Sequence, residues 1–176
     1  MTLSLSRAQR RFLGLMGEED LSDLVGINTP LEMSSAACAA LLNYLSQGMA
    51  YRSGPLFGYR GPDRYEVTHV LTGTPPGEAS EEPFGLNPAY LLGASEALRQ
   101  VDPGLDWIGH WLMVPGGQMP SDKVARAYVR QAAQLELVDM VTPLLIMGLI
   151  DFAPGAVASR WLNRQPRVVP LIWHLD

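Results

Sequence analysis

The sequence predicts a single α/β domain, and three observations carry that reading. Strand-like and helix-like stretches follow one another in the order β-α-β-β-α-β-α-β-β-β. Each helix-like stretch opens on a residue that can cap it: Ser34, Asn87 or Ser121. With 176 residues, 47% hydrophobic and 18% charged, the chain is large enough to bury a core and too apolar to be disordered.

The first 27 residues read as an appendage, and residues 28–176 as the domain. Ser6 can cap a short helix over Arg7–Met16, with Phe12, Leu13, Leu15 and Met16 as a dense apolar group. Such a segment either packs on the domain or serves as a docking arm. Pro30–Met33 reads as a short strand. The Ala- and Leu-rich stretch Ala36–Gln47 reads as a helix lying against a sheet, with Gly48 ending it. Gly54–Tyr59 and Tyr65–Leu71, separated by Arg60-Gly61-Pro62-Asp63, read as a hairpin or consecutive strands. Residues 72–82 are an exposed loop by their Pro, Gly, Ser and Glu content. Asn87-Pro88 starts a helix whose inner face is Tyr90, Leu91, Ala94 and Leu98, and Asp102-Pro103-Gly104 stops it.

An apolar strand over 106–113 follows, then Pro115-Gly116-Gly117, then a helix from Ser121-Asp122 to about Val138 with Val124, Tyr128, Ala132 and Leu135 inward. Leu144–Ile150 is a buried strand by its unbroken aliphatic run. Ala156–Leu162 and Val168–Trp173 are further strands, joined by a turn at Asn163-Arg164-Gln165-Pro166.

Composition also excludes function classes. A net charge of −5 leaves no basic excess to neutralise nucleic-acid phosphates. Cys38 is the one cysteine, so neither an intrachain disulfide nor a Cys-rich zinc site can form. The apolar run Met140–Ile150 is short for a bilayer and broken by Pro143. The N-terminus lacks a secretory pattern. A soluble cytoplasmic protein without a membrane role is expected.

The segment Asp106–Ala127 carries the most specific pattern. It holds Trp111, then Pro115-Gly116-Gly117, then Pro120-Ser121 where a helix opens. Upstream, Tyr51-x-x-Gly54-x-Leu56-x-Gly58 lies on an earlier strand. In order and spacing, these residues resemble the JAB/MPN (JAMM) isopeptidase family. That family reads Trp-His-x-His-Pro, then Ser-x-x-Asp, with Glu-x-x-Gly-x-Leu-x-Gly on the second strand. The resemblance covers about residues 28–175. It implies a three-layer-like, cytidine-deaminase-like sandwich with a mixed central sheet flanked by helices.

The resemblance also marks what this chain lacks. The two histidine positions hold Leu112 and Val114, and the general-base glutamate is Tyr51. The aspartate position falls at Val124, or at Ala125 if the loop is aligned without shortening. A catalytic zinc needs three protein ligands and an open position. Tyr51, Leu112, Val114, Ser121 and Val124 are therefore vestigial active-site positions, with no catalytic residue, metal or cofactor expected. Emptying such a site while leaving its ligands would bury unpaired polar groups, and apolar replacement avoids that cost.

Three functions follow. The first is a non-catalytic protein-interaction or scaffold subunit, self-associating or paired with another protein. The resemblance implies a bacterial setting beside a ubiquitin-like protein or a catalytic JAB protein. Its surfaces would be Phe12, Leu13, Leu15 and Met16, or Arg126 and Arg130 on the helix after Ser121. The second is a metallohydrolase with rearranged ligands, drawing on His110 and Asp122. The third is a peptide or small-molecule binder that uses the apolar cleft.

Overall fold

A computed structural model describes residue 10 and residues 28–46, 48–78 and 80–174. Phe12, Leu13, Leu15 and Met16 lie outside the described residues. The mixed α/β class expected from the element order is found. The strands are β1 (Leu31–Met33), β2 (Arg52–Arg60), β3 (Tyr65–Val70), β4 (Asp106–Gln118), β5 (Leu144–Ile150), β6 (Ala153–Leu162), β7 (Gln165–Val169) and β8 (Leu171–Trp173). The helices are α1 (Ser35–Leu45), α2 (Pro88–Val101) and α3 (Asp122–Gln134).

The strands form one mixed sheet in the order β7-β6-β5-β4-β2-β3-β1-β8. Its two end strands are consecutive in the chain, with Pro170 alone between them. Val169 pairs antiparallel with Ala158 of β6, and Leu171 pairs parallel with Leu31 of β1. The Leu31 amide donates to the Pro170 carbonyl at 2.9 Å. A single stretch from 165 to 173 thus serves both edges, so the sheet has to curl until they meet. The result is a nearly closed barrel, not a flat middle layer. The expected strand Val168–Trp173 is in fact two strands. Proline cannot donate a ladder bond, and pairing passes from one neighbour to the other at that residue.

Alternation along the strands divides the apolar residues between two clusters. On one face Leu31, Met33, Leu56, Val67, Trp111, Met113, Leu145, Met147, Ala158 and Val169 meet Ala37, Cys38 and Leu41 of α1. Strands from all around the sheet contribute here, so this is the inside of the curl, and α1 fills it. Ser34 caps α1 by accepting from the Ala37 amide at 3.2 Å. Trp111 stacks on Tyr44 of α1 with ring centroids 5.3 Å apart, and its indole N–H donates to the Leu71 carbonyl at 2.8 Å.

On the outer face Phe57, Trp107, Leu112, Leu144 and Ile146 pack with Val129 and Ala132 of α3. α2 opens as expected, with Asn87 accepting from the Tyr90 amide at 3.0 Å and Pro88 in the first turn. α3 ends four residues before the expected Val138. Glu136 takes a left-handed conformation, and the Leu137 and Glu136 amides bond back to the carbonyls of Ala132 and Ala133. This is a Schellman termination with buried Leu137 as its apolar contact. No described helix is long and apolar enough to cross a membrane.

Away from α1, the curl is held by a buried arginine. Arg160 of β6 is 1% exposed. It donates to the Thr29 carbonyl at 2.9 Å, and its guanidinium lies 5.2 Å from the Tyr65 ring centroid. Arg60 stands at the same distance from that ring. Burial pulls the Arg160 pKa down from its usual value. Arg160→Ala should destabilise the domain by about 2–4 kcal/mol in urea unfolding, because it leaves a buried carbonyl unbonded and opens a cavity. Arg167→Ala at its exposed cross-strand partner should change stability by less than about 0.5 kcal/mol.

Candidate functional site

The candidate site is built on the outer face where β2 and β4 run antiparallel. Arg52 lies opposite Met113 and Ser53 opposite Leu112. One step further along that register sets Tyr51 against Val114, so Tyr51, Leu112 and Val114 share a face. Leu112 is fully buried, while Tyr51 and Val114 are half-buried. Tyr51, the residue before β2, also bridges to Ser80 of the loop before α2.

α3 covers this face. Its inward residues are Ala125, Tyr128, Val129 and Ala132, a helical spacing that turns Val124 out to 42% exposure and Leu135 to 51%. The inward assignment of Val124 and Leu135 is therefore corrected. The helix is rotated by one position, and Ala125, the other candidate for the aspartate position, packs with the Leu112 cluster. Ser121 is the N-cap by backbone conformation and is exposed, but its hydroxyl makes no capping bond.

Two side chains that motif reasoning does not single out complete the site. The Tyr128 hydroxyl stands 3.2 Å from the Tyr51 hydroxyl, and the two rings meet edge to face at 6.4 Å. Phe84, from the loop before α2, is 7% exposed and lies 6.5 Å from Tyr128 and 5.9 Å from His110 between ring centroids. The signal for Phe84 in the sequence is slight: one aromatic residue after Glu81-Glu82-Pro83. Periodicity predicts Tyr128 inward, and its polar partner is set by the strand that α3 crosses.

His110 stands in the middle of the sheet and is fully buried beside Phe84 and Trp107, the latter at 5.8 Å. β4 has β2 on one side and β5 on the other, so His110 lies away from both edges of the sheet. Asp122 is exposed at the start of α3. His69 bonds Thr68 on β3, and His174 pairs with Glu32 at 3.1 Å. Among the described residues, no three His, Cys, Asp or Glu side chains are grouped so as to hold a metal. Cys38 is 2% exposed inside α1. A shallow pocket opens between α3 and β5–β7, with Asp122, Arg126, Val157 and Val168 among its lining, and not over Tyr51 and Leu112.

No protein-family model matches this chain, and no curated protein matches it. Among solved structures, the chain is similar to the solution structure of protein DSY2949 from Desulfitobacterium hafniense. The two share 18% identity and a TM-score of 0.59, over 83% of this chain and 95% of that one. At that identity the likeness concerns the fold alone.

The Tyr51–Tyr128 pair has a pH signature. Burial, then the hydrogen bond to Tyr51, pushes the Tyr128 hydroxyl up to about 12. A folded pKa above the unfolded value near 10 gives stability that is whole below pH 10 and lost as pH rises towards 12. In urea unfolding at pH 9 and 11.5, the wild-type protein should lose more stability than Tyr128→Phe over that interval. Equal losses would mean that the hydroxyl pair does not resist ionisation.

Proposed function

We propose that this chain is a JAB/MPN-like domain, a strongly curled variant of that family's helix-flanked sheet, which works without zinc as a protein-interaction or scaffold subunit. The observation that carries the reading is what occupies the outer face of β2 and β4. Leu112, Val114 and Tyr51 stand at the positions where the resemblance requires two histidines and a glutamate. Around them the face is packed with Ala125, Tyr128 and Phe84. Hydrocarbon and two mutually bonded hydroxyls replace a water-bearing polar cleft. Such a face is stable without a metal and offers no ligand set to one.

A domain of this kind acts through its surface. The partner is a second copy or another protein, in a bacterial cytoplasmic setting a ubiquitin-like protein or a catalytic JAB protein. Arg126 and Arg130, exposed on α3, supply a charged contact surface for it, and Phe12, Leu13, Leu15 and Met16 of the N-terminal segment supply an apolar one. Nucleic acid and membrane are not among its partners.

Metal analysis tests the reading. The purified protein should contain no stoichiometric zinc, and EDTA should leave its melting temperature unchanged. One equivalent of zinc, lost together with stability on chelation, would overturn the proposal. A constructive variant tests the frame itself. Leu112→His and Val114→His, combined with either Val124→Asp or Ala125→Asp, should create a zinc site detectable by cobalt substitution spectra. Failure of both combinations would count against the JAB/MPN geometry.

A further inference from the structure

The pocket between α3 and β5–β7 encloses about 120 Å³. Its floor is apolar, for Val129 of α3 and Ile146 of β5 are both buried there. Cross-strand pairing sets its strand side. Ile146 stands opposite Val157 and Ser159 opposite Val168, so these four side chains leave the sheet on one face. Val157 and Val168 remain exposed where the pocket opens.

Three polar side chains line the same pocket, and their groups are unpaired among the described residues. Ser159 is 8% exposed, yet its hydroxyl makes no hydrogen bond. A hydroxyl taken out of water and left unbonded destabilises a fold, and a ligand that bonds it recovers that loss. Asp122 and Arg126 lie one helical turn apart, at a spacing that suits an ion pair, and they make none. Lys123 and Arg130 on α3 and Arg167 on β7 add positive charge around the pocket without lining it. Asp122 is the one acid on α3, β6 and β7. The mouth is positive on balance, which favours a carboxylate.

We infer that this pocket binds a free α-amino acid with a short branched aliphatic side chain. Arg126 takes the carboxylate in its planar fork, and Asp122 at the mouth takes the ammonium. The Ser159 hydroxyl donates to the carboxylate, and the side chain enters between Val129, Ile146 and Val157. A cavity of about 150 Å³ takes up benzene, so one of about 120 Å³ suits leucine or valine better than phenylalanine. This site goes beyond the scaffold reading and does not depend on it.

Calorimetric titration of the full chain with leucine, valine, alanine, phenylalanine and N-acetyl-leucine is the test. Leucine or valine should bind, with alanine and phenylalanine about ten-fold weaker or more. N-acetyl-leucine, which lacks the ammonium, should bind about ten-fold more weakly than leucine. Arg126→Gln should weaken leucine binding about ten-fold, and Asp122→Asn should abolish the preference for leucine over its acetyl derivative. Ser159→Ala should melt no lower than wild type, since it removes an unbonded hydroxyl, and should bind leucine about three-fold more weakly or worse. Leucine should raise the wild-type melting temperature, a readout that needs no variant to fold. Absence of binding and of that rise would overturn the inference. Equal binding of N-acetyl-leucine to the wild type would also overturn it, replacing the free amino acid by a peptide's C-terminal residue. A lower melting temperature in Ser159→Ala, with leucine binding unchanged, would make the hydroxyl structural and remove the site. The zinc measurement tests the scaffold reading separately.

Discussion

The structure depends on one backbone arrangement, the passage of the strand from Gln165 to Trp173 between two partners. Its first half completes the ladder of β6 and its second half that of β1. Open sheet edges expose unpaired amides and carbonyls, and this segment covers parts of both at once. The geometric consequence is curvature. Strands at opposite ends of the order cannot share one short segment unless the sheet between them curls through most of a turn. Its concave side is then narrow, and the residues that α1 buries fully there are small or slim, Ala37, Cys38 and Leu41, with Tyr44 half-buried beside them. The larger rings enter from the sheet, with Trp111 lying flat on Tyr44.

Curvature also gives β4 its central role. It runs between β2 and β5 and sends Trp111 and Met113 inward while Leu112 goes outward. Any chemistry on the outer face is thus anchored to the best-packed strand of the interior. Introducing or removing a polar group at Leu112 changes what α3 and Phe84 can pack upon, without disturbing the contacts of Trp111. The outer face can therefore exchange a polar cleft for an apolar one while the fold persists. Packing density inside the curl gives no such latitude.

Local chemistry was legible in the sequence and long-range pairing was not. The caps at Ser34 and Asn87, and the span Leu144–Ile150, follow from hydroxyl, amide and aliphatic patterns within a few residues. Closure of the sheet joins β1 to β8 across most of the chain, and no local pattern announces it. Pro170 was the one sign, readable as a break in Val168–Trp173. The phase of α3 is not fixed by its sequence, because Val124 and Ala125 are both apolar and periodicity alone does not choose between them. The burial of His110 is not legible either, because whether a strand lies at an edge or in the middle is a property of the sheet. At the candidate site the motif positions came from spacing along the chain, whereas Phe84 and the bond between Tyr51 and Tyr128 come from tertiary packing.

The residues that carry the family resemblance can be explained by the fold without invoking catalysis. A Cβ on Gly54 would stand 2.1 Å from the Leu71 carbonyl oxygen, and one on Gly58 would stand 1.8 Å from that of Glu66. Both contacts are with backbone that cannot yield, so glycine is required wherever β2 approaches its neighbours this closely. Leu56 between them is fully buried. Gly116 and Gly117 have φ of 81° and 65°, which other residues reach only under strain. The positions expected to bind metal are under no such steric rule. Leu112, Val114 and Tyr51 sit on a face where side chains of several kinds can be packed by α3. Backbone approach thus fixes the glycines, while packing under α3 leaves the choice of side chain on that face open. The glycine frame therefore testifies to the fold and carries no information about chemistry on the face beside it.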